Sequence, residues 1–249
     1  MALGDATRVG TATRFGVGER DPRRLASHSG TLYMAGGTNG ALYTLSTTTG
    51  VATRVGSATR FGVGESAPNG LASHNGVLYM VGSTNDALYS LNTTTGVATR
   101  VGSAAQFGVE ERDPRGLASH SGSLYMIGSS DSTIFSIYTL NVTTGVATRV
   151  VTVSLPSHPS AFFNGLSSHN DTLHTFASFL TFTPSFAFNG NLYSLDTTTG
   201  VATQVGSASQ FGVGEDSPQG LASHNGVLYM VGSITAALYT LETCLLYTS

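Results

Sequence analysis

The chain contains 249 residues with a formal net charge of −3, and only 10% of its residues are charged. Its eleven basic residues, all of them arginines, do not supply the concentrated basic face that nucleic-acid binding requires. No apolar run reaches the roughly eighteen residues of a membrane-spanning helix, so we expect a soluble protein, with a secreted or cell-surface location left open.

An internal repeat organises most of the chain. The segment LASH, or LSSH in one copy, occurs five times, and successive copies are 46, 46, 49 and 55 residues apart. The second and fifth copies share the identical stretch GLASHNGVLYMVGS, at 70–83 and 220–233. A recurring period of this length indicates a repeat architecture in which each copy is one structural unit.

Each copy predicts four short β-strands, as residues 70–103 illustrate. GLASH is followed by Asn75-Gly76, a pair typical of a type I′ hairpin turn because both positions need positive φ. VLYMVG leads into the polar turn STND, and ALYSL leads into NTTTG, where Asn92 can cap the turn and Gly96 can adopt the left-handed conformation. VATRVG is the fourth strand, and its alternation predicts a half-exposed outer edge.

Four antiparallel strands in every copy predict an all-β chain folded as a β-propeller, with one blade per copy. Leucine-rich repeats are shorter, parallel β-helices lack hairpins, and armadillo-type repeats need a helical periodicity that is absent from this sequence. Residues 5–10 match a fourth strand, whereas the fifth copy stops after its third, so we predict five blades with the N-terminal strand completing the last. The predicted blades span residues 25–56, 71–102, 117–151, 166–206, and 221–241 together with 5–10.

We predict a single domain over residues 1–243, because the composition barely changes along this range and no linker interrupts it. Residues 244–249, CLLYTS, break the repeat and resemble a translated sequencing adapter, so we expect them to be a non-native tail on a fragment. The single cysteine, Cys244, lies in this tail. No disulfide framework or cysteine metal site is therefore expected.

The repeat resembles that of pyrroloquinoline-quinone-type propellers, in which an LYALD..TG segment ends the third strand and turns into the fourth. The resemblance covers nearly the whole chain and implies the blade architecture. The tryptophan that ends the fourth strand in that family is missing, since this chain contains none, so we carry over no cofactor and no catalytic residue. The matching segments are LYTLSTTTG (42–50), LYSLNTTTG (88–96), YTLNVTTG (138–145) and LYSLDTTTG (192–200).

Two copies are longer than the others, and their extra residues fall between the second and third strands. The third copy has three extra residues there and the fourth has nine. In a propeller these hairpins lie on the same face as the connections between blades. Insertions gathered on one face of a repeat array often mark the binding face.

The long hairpin of the fourth copy is rich in phenylalanine: seven of the twelve in the chain fall between Phe162 and Phe188. An apolar cluster on this face is a candidate patch for a partner or a small molecule, with Phe179, Phe182 and Phe186 as the predicted contacts. The alternative is that the hairpin folds over its blade and packs its own rings.

A glutamate recurs in the connections between blades, six residues before the leucine of LASH. Four such carboxylates would ring one mouth of the channel, where they could hold a cation or bind sugar hydroxyls. The alternative is that each accepts backbone hydrogen bonds at its own connection, as a device repeated in every blade would. The candidate ligand-binding residues of this set are Glu19, Glu65, Glu111 and Glu215.

The histidine of each LASH segment precedes the first hairpin turn, so we place it near the opposite face. Side chains that occur once per blade around a channel seldom converge as metal ligation demands, and we predict no metal site. We expect each ring to hydrogen-bond to neighbouring backbone. A second hypothesis is acid sensitivity, because equivalent histidines would gain like charge together. These histidines are His28, His74, His120, His169 and His224.

These features favour a monomeric, non-enzymatic binding propeller, whose unknown partner is a protein, a surface or a carbohydrate ligand. No catalytic triad, phosphate-binding loop or metal-ligand spacing is present in the sequence. A glycosidase-like or other carbohydrate-active propeller is the first alternative and would need two carboxylates in differing environments. A purely structural repeat protein is the second.

Overall fold

The computed structural model describes residues 4–109, 113–129, 134–155, 161–181, 187–205, 209–215 and 218–243. These residues form five four-stranded antiparallel sheets arranged as a ring, and the first strand of each sheet contacts the first strand of the next. The predicted all-β, five-bladed propeller is therefore confirmed.

Blades one to four each consist of four consecutive strands. Blade one contains β2 (Pro22–His28), β3 (Thr31–Gly36), β4 (Ala41–Leu45) and β5 (Ala52–Arg54). Blade two contains β6 (Pro68–His74), β7 (Val77–Gly82), β8 (Ala87–Leu91) and β9 (Ala98–Arg100). Blade three contains β10 (Asp113–His120), β11 (Ser123–Ser129), β12 (Phe135–Leu140) and β13 (Ala147–Thr152). Blade four contains β14 (Phe162–His169), β15 (Thr172–Thr181), β16 (Ala187–Leu195) and β17 (Ala202–Gln204).

Blade five joins the two ends of the chain. Its first three strands are β18 (Gly220–His224), β19 (Val227–Val231) and β20 (Leu238–Leu241), and its fourth is β1 (Ala6–Arg8). Strand β1 pairs antiparallel with β20, with Ala6 opposite Leu241. The N-terminal strand thus completes the last blade, as the sequence predicts.

The turns adopt the conformations that their residues favour. Asn75 and Gly76 have φ values of 48° and 74°, which are the two positive angles of a type I′ turn. In the turn between β8 and β9, the Asn92 side-chain oxygen accepts hydrogen bonds from the backbone N–H groups of Thr94 and Thr95, both at 2.9 Å. Gly96 closes that turn with a φ of 71°.

The hydrophobic core lies between the blades and not within any one of them. Five clusters of buried side chains are present, and each draws its members from two neighbouring blades. The cluster that contains Leu25 and Met34 of blade one also contains Tyr229 and Val231 of blade five. The ring is thus closed by hydrophobic burial as well as by strand pairing.

A phenylalanine in four of the five connections between blades packs into this core. Phe61 is fully buried although its backbone is left-handed, with a φ of 53°. Its N–H donates to the Gly40 carbonyl at 2.9 Å, which ties the connection to the hairpin of the preceding blade. Burial of the ring compensates for a backbone conformation that is costly for a bulky residue. Phe15, Phe107 and Phe211 occupy the same position, with buried rings and positive φ.

The LASH histidines link each blade to the next. The Nδ1 atom of every one lies within hydrogen-bond distance of a serine Oγ in the following blade, and His224 of blade five closes the circle on Ser27 of blade one. The prediction that the rings bond to backbone is therefore wrong about the partner. The other pairs are His28–Ser73 (2.8 Å), His74–Ser119 (2.9 Å), His120–Ser168 (2.9 Å) and His169–Ser223 (2.9 Å).

Blade four departs from the repeat by placing His174 where the other blades have tyrosine. The ring of His174 is buried, packs 6.1 Å from that of His169 and has its Nδ1 atom 3.1 Å from the Thr172 carbonyl. Burial, and secondarily the proximity of His169, lowers the pKa of His174 to about 4. Burial also lowers the pKa of His169. Both shifts disfavour the charged imidazolium in the folded protein.

Replacing the connection phenylalanine should destabilise the propeller. Phe61→Ala removes a fully buried ring from between blades one and two and leaves a strained backbone without its compensation. We expect the free energy of unfolding to fall by about 3–5 kcal/mol, measured by urea denaturation. Phe162→Ala is the control, because that ring is 43% exposed. Equal losses in the two variants would contradict this packing role.

The second prediction concerns the loss of stability at low pH. The unfolded chain protonates His174 near pH 6.5 but the folded chain only near pH 4, so stability is complete above pH 6.5 and falls as the pH drops towards 4. Protonation of His174 alone should lower the free energy of unfolding by about 3 kcal/mol between pH 6.5 and pH 4. His174→Tyr, which restores the residue of the other blades, should flatten the dependence of the melting temperature on pH. An unchanged pH profile in that variant would contradict the assignment.

Candidate functional site

The two ends of the propeller differ in regularity. One end carries the two-residue turns between first and second strands, which have the same length in all five blades. The other end, here called the hairpin face, carries the connections between blades and the hairpins between second and third strands. Strands β15 and β16 of blade four have ten and nine residues, whereas β7 and β8 of blade two have six and five. The insertions predicted from the sequence thus lengthen the hairpin on this face.

A narrow channel runs along the axis between the five first strands. Its cavity has a volume of about 90 Å³, and each blade contributes three consecutive residues to the wall. The alanine and serine side chains of the wall are small and allow the strands to approach closely here. The serines that line it are Ser27, Ser73, Ser119, Ser167, Ser168 and Ser223.

Polar side chains surround the channel mouth on the hairpin face. They stand at the start of each first strand, where β-bulges at Arg23, Asn69 and Arg115 interrupt the pairing with the second strand. A bulge redirects the side chain of the extra residue. Arg23 donates to the Asn69 side-chain oxygen at 3.3 Å, across the boundary between blades one and two. We call this set the mouth ring: Arg23, Asn69, Arg115, Asn164 and Gln219.

Arg24 lies inside the mouth ring and breaks the repeat. The residue before the LASH leucine is glycine in blades two to five, and a Cβ atom at Gly220 would lie only 3.0 Å from the Cα atom of Arg24. Blade one alone places a long side chain here, and only 3% of Arg24 is exposed. Its Nη1 atom donates to the Arg23 carbonyl at 2.9 Å and to the Gln219 carbonyl of blade five.

The predicted glutamates lie elsewhere, beneath the loops of the hairpin face. Glu19, Glu65 and Glu215 are fully buried, and each binds the hairpin of its own blade. Glu65 accepts hydrogen bonds from the backbone N–H groups of Ala67 (2.8 Å), Thr84 (3.2 Å) and Asn85 (3.3 Å). These contacts support the alternative in which the glutamate orders its loop, whereas ligand binding by this set stays a prediction. Glu111 lies outside the described residues.

A glycine and a tyrosine complete each glutamate pocket. A Cβ atom at Gly82 would overlap the Glu65 carboxylate, so only glycine leaves room for it at the end of β7. Burial raises the pKa of the Tyr89 hydroxyl, and the negative charge of Glu65 raises it further. Tyr43 shows the same shift for the same reasons beside Glu19. The tyrosines therefore stay protonated beside the carboxylates.

The described phenylalanines of blade four are mostly core residues. Phe179 is buried and belongs to the cluster between blades three and four, together with Phe135 and Phe163. Phe176 packs edge-on against Phe211 with ring centroids 5.2 Å apart. This arrangement supports the alternative in which the rings pack against the propeller, and contact of Phe179 with a ligand stays a prediction. Phe182 and Phe186 lie outside the described residues.

In the part of the chain that the structure describes, no helix has the length and hydropathy needed to cross a bilayer. Within the same ranges, no group of three or more His, Cys, Asp or Glu side chains comes together in a way that could hold a metal ion.

No known protein family and no curated protein sequence matches the chain. Among solved structures, the glutaminyl cyclase of Myxococcus xanthus is similar, with 19% identity, a TM-score of 0.62 and 95% of each chain covered. The PQQ-bound aldose sugar dehydrogenase of Streptomyces coelicolor has 12% identity and a TM-score of 0.55, with 97% of this chain and 99% of that one covered. The exo-β-1,3-galactanase of Phanerochaete chrysosporium, solved with β-1,3-galactotriose, has 13% identity and a TM-score of 0.61, with 95% and 63% covered.

These likenesses concern the fold alone. They include a PQQ-bound propeller, which confirms the resemblance to pyrroloquinoline-quinone-type propellers at the level of architecture. Arg24 is the residue that the sequence analysis missed. Comparison of the five copies could have found it, since PRRLASH stands in one copy where PNGLASH, PRGLASH, FNGLSSH and PQGLASH stand in the others.

Removing a glutamate should destabilise the hairpin face. Glu65→Ala leaves three backbone N–H groups without the fully buried carboxylate that accepts their hydrogen bonds, and we expect the free energy of unfolding to fall by about 2–4 kcal/mol. Glu65→Gln keeps one carbonyl oxygen as an acceptor, so its free energy of unfolding should fall by less. Urea denaturation measures both variants. Full stability of the alanine variant would show that the carboxylate does not order the loop.

Proposed function

We propose that this chain is a non-enzymatic binding propeller whose ligand is a carbohydrate that docks on the hairpin face, over the channel mouth. The single observation that carries the proposal is that departures from the repeat concentrate on this face. The opposite end keeps turns of equal length in all blades, whereas the hairpins differ between blades and the mouth ring changes from arginine to amide residues. Features needed for folding recur in most or all blades, but a site for one ligand needs asymmetry.

The chemistry of the mouth supports binding more than hydrolysis. Glycoside hydrolysis needs two carboxylates whose environments differ. Here Glu19, Glu65 and Glu215 are buried beneath their loops and accept hydrogen bonds from backbone N–H groups. The carboxylates nearest the mouth, Asp21 and Asp113, form ion pairs with Arg23 and Arg115 at 2.8 and 2.6 Å. Arginine and amide groups, which are donors suited to hold a polar ligand in place, remain at the mouth.

The proposal is tested by blocking one face at a time. In a Cys244→Ser background, Ile234→Cys places a thiol on the hairpin face and Val227→Cys places one beside the opposite turn of the same blade, at positions 60% and 37% exposed. Each thiol is coupled to a maleimide-linked polyethylene glycol chain. Binding to an array of neutral and acidic glycans is then compared with that of the unmodified protein.

We expect the polymer at position 234 to weaken binding about tenfold or more, equivalent to about 1.4 kcal/mol, and the polymer at position 227 to leave binding unchanged. The uncoupled thiol variants show whether the substitutions themselves matter. Equal loss at both positions, or no binding to any glycan by the unmodified protein, would contradict a glycan-binding hairpin face.

A further inference from the structure

Three guanidinium groups converge at the channel mouth. Arg23 and Arg115 flank it with side chains about 30% exposed, at 30% and 29%, while Arg24 lies deeper and is almost fully buried. Asp21 and Asp113 pair with the two flanking arginines. Three positive and two negative charges leave a net charge of +1 at the mouth. Of these three arginines, Arg24 is the one without a carboxylate partner among the ion pairs of the described residues.

Arg24 also carries unused hydrogen-bonding capacity. Its two recorded hydrogen bonds both use Nη1 and both go to backbone carbonyls. In the part of the chain that the structure describes, the Nε atoms of Arg24 and Arg115 are buried and have no hydrogen-bond partner. A buried donor without an acceptor is costly, so a ligand that supplies acceptor oxygens here is favoured.

The electrostatic state of Arg24 fits an anion-binding site. Burial, and after it the charges of Arg23 and Arg115, lowers the pKa of Arg24 to about 9, against the weaker opposing effect of Asp21 and Asp113. The guanidinium is therefore still positive at neutral pH but is destabilised by its surroundings. A negative charge between the arginines would relieve both the repulsion and the lost hydration.

A purely structural role is the competing explanation for Arg24. Its bond to the Gln219 carbonyl joins blade one to blade five, and its side chain fills space at the axis. The other four blades are held around the same axis with glycine at this position, however, and their first strands pack without such a bond. The repeat itself thus shows that the fold does not require an arginine here.

We infer that the channel mouth binds the carboxylate group of a small acidic ligand between Arg24 and Arg115, an inference that rests on the proposed function and specifies its ligand. A carboxylate is planar and offers two oxygens that match the donor pair of a guanidinium. Its single charge matches the net +1 of the mouth, whereas a phosphate dianion would exceed it. The mouth-ring amides of Asn69 and Asn164 flank the site and supply further polar groups for the rest of the ligand.

The test uses pairs of probes that differ only in the carboxylate. Sodium glucuronate is compared with glucose, and N-acetylglycine with N-acetylglycine amide, so that an acidic sugar and an amino-acid carboxylate are distinguished as sources. Inorganic phosphate is the fifth probe. Binding is measured by isothermal titration calorimetry at constant ionic strength.

Two variants each replace an arginine by the residue that another blade has at the same position, and each removes one positive charge. Arg24→Gly installs the glycine of blades two to five, and Arg54→Gln installs the glutamine that blade four has on its outer strand. Arg24→Lys keeps the charge but loses the planar pair of donors. Circular dichroism and thermal melting show that each variant is folded before binding is measured.

We expect at least one carboxylate probe to bind the unmodified protein and its neutral partner not to bind. Arg24→Gly should weaken that binding about tenfold or more, Arg24→Lys should weaken it less, and Arg54→Gln should change it by less than about twofold. Absence of carboxylate binding, equal effects of the glycine and glutamine variants, or tighter binding of phosphate than of either carboxylate would overturn the inference.

The two proposals can fail separately. If Arg24→Gly leaves glycan-array binding intact while a polymer at position 234 still blocks it, the hairpin face binds a ligand and the carboxylate assignment is wrong. If the carboxylate probes bind through Arg24 but the array shows no binding, the mouth is an anion site and the glycan-binding function falls.

Discussion

Burial of each blade against the next is the constraint on which the whole molecule depends. A four-stranded sheet that is apolar on both surfaces cannot cover either of them alone, and every hydrophobic cluster here is shared between two blades. Because the cluster of Leu25 and Met34 includes Tyr229 of blade five, no blade is left with an uncovered side. The pairing of β1 with β20 and the histidine–serine hydrogen bonds further stabilise the closed ring, which burial already favours.

Polar groups recur in each blade where the fold needs them. The buried glutamate accepts hydrogen bonds from backbone N–H groups in the hairpin loop, where no neighbouring strand offers a carbonyl. The glycine at the end of the second strand makes room for the carboxylate. The LASH histidine plays a comparable role at the opposite end, between blades. A polar residue that recurs across the copies, as the histidine does in all five and the glutamate in four, therefore marks a structural need in this protein. Functional specificity is to be sought at positions where one copy differs, and Arg24, which is only 3% exposed, is such a position.

The candidate site was only partly accessible from the sequence. The face was predicted, because insertion lengths can be read without knowing the fold in detail. The glutamates were placed on that face, but only the tertiary structure shows that Glu19, Glu65 and Glu215 lie beneath the loops, each with a carboxylate oxygen that accepts hydrogen bonds. Phe179 likewise carries no sequence signal that separates a core ring from a ligand contact. Arg24 does carry such a signal, as an arginine aligned with four glycines, but its meaning depends on knowing that the glycines surround an axis.

The sequence alone determined the period, the four strands, the turn types and the completion of the fifth blade by residues 5–10, because these follow from local rules: alternation of apolar residues, positive φ at Asn-Gly, and matching of copies. Only the tertiary structure decided which polar groups meet. Ser27 and His224 are separated by nearly the whole chain and become neighbours through ring closure. Arg24 and Arg115, from blades one and three, are brought close enough to interact electrostatically in the same way. Contacts between distant segments depend on how the blades are arranged in space and leave no local pattern.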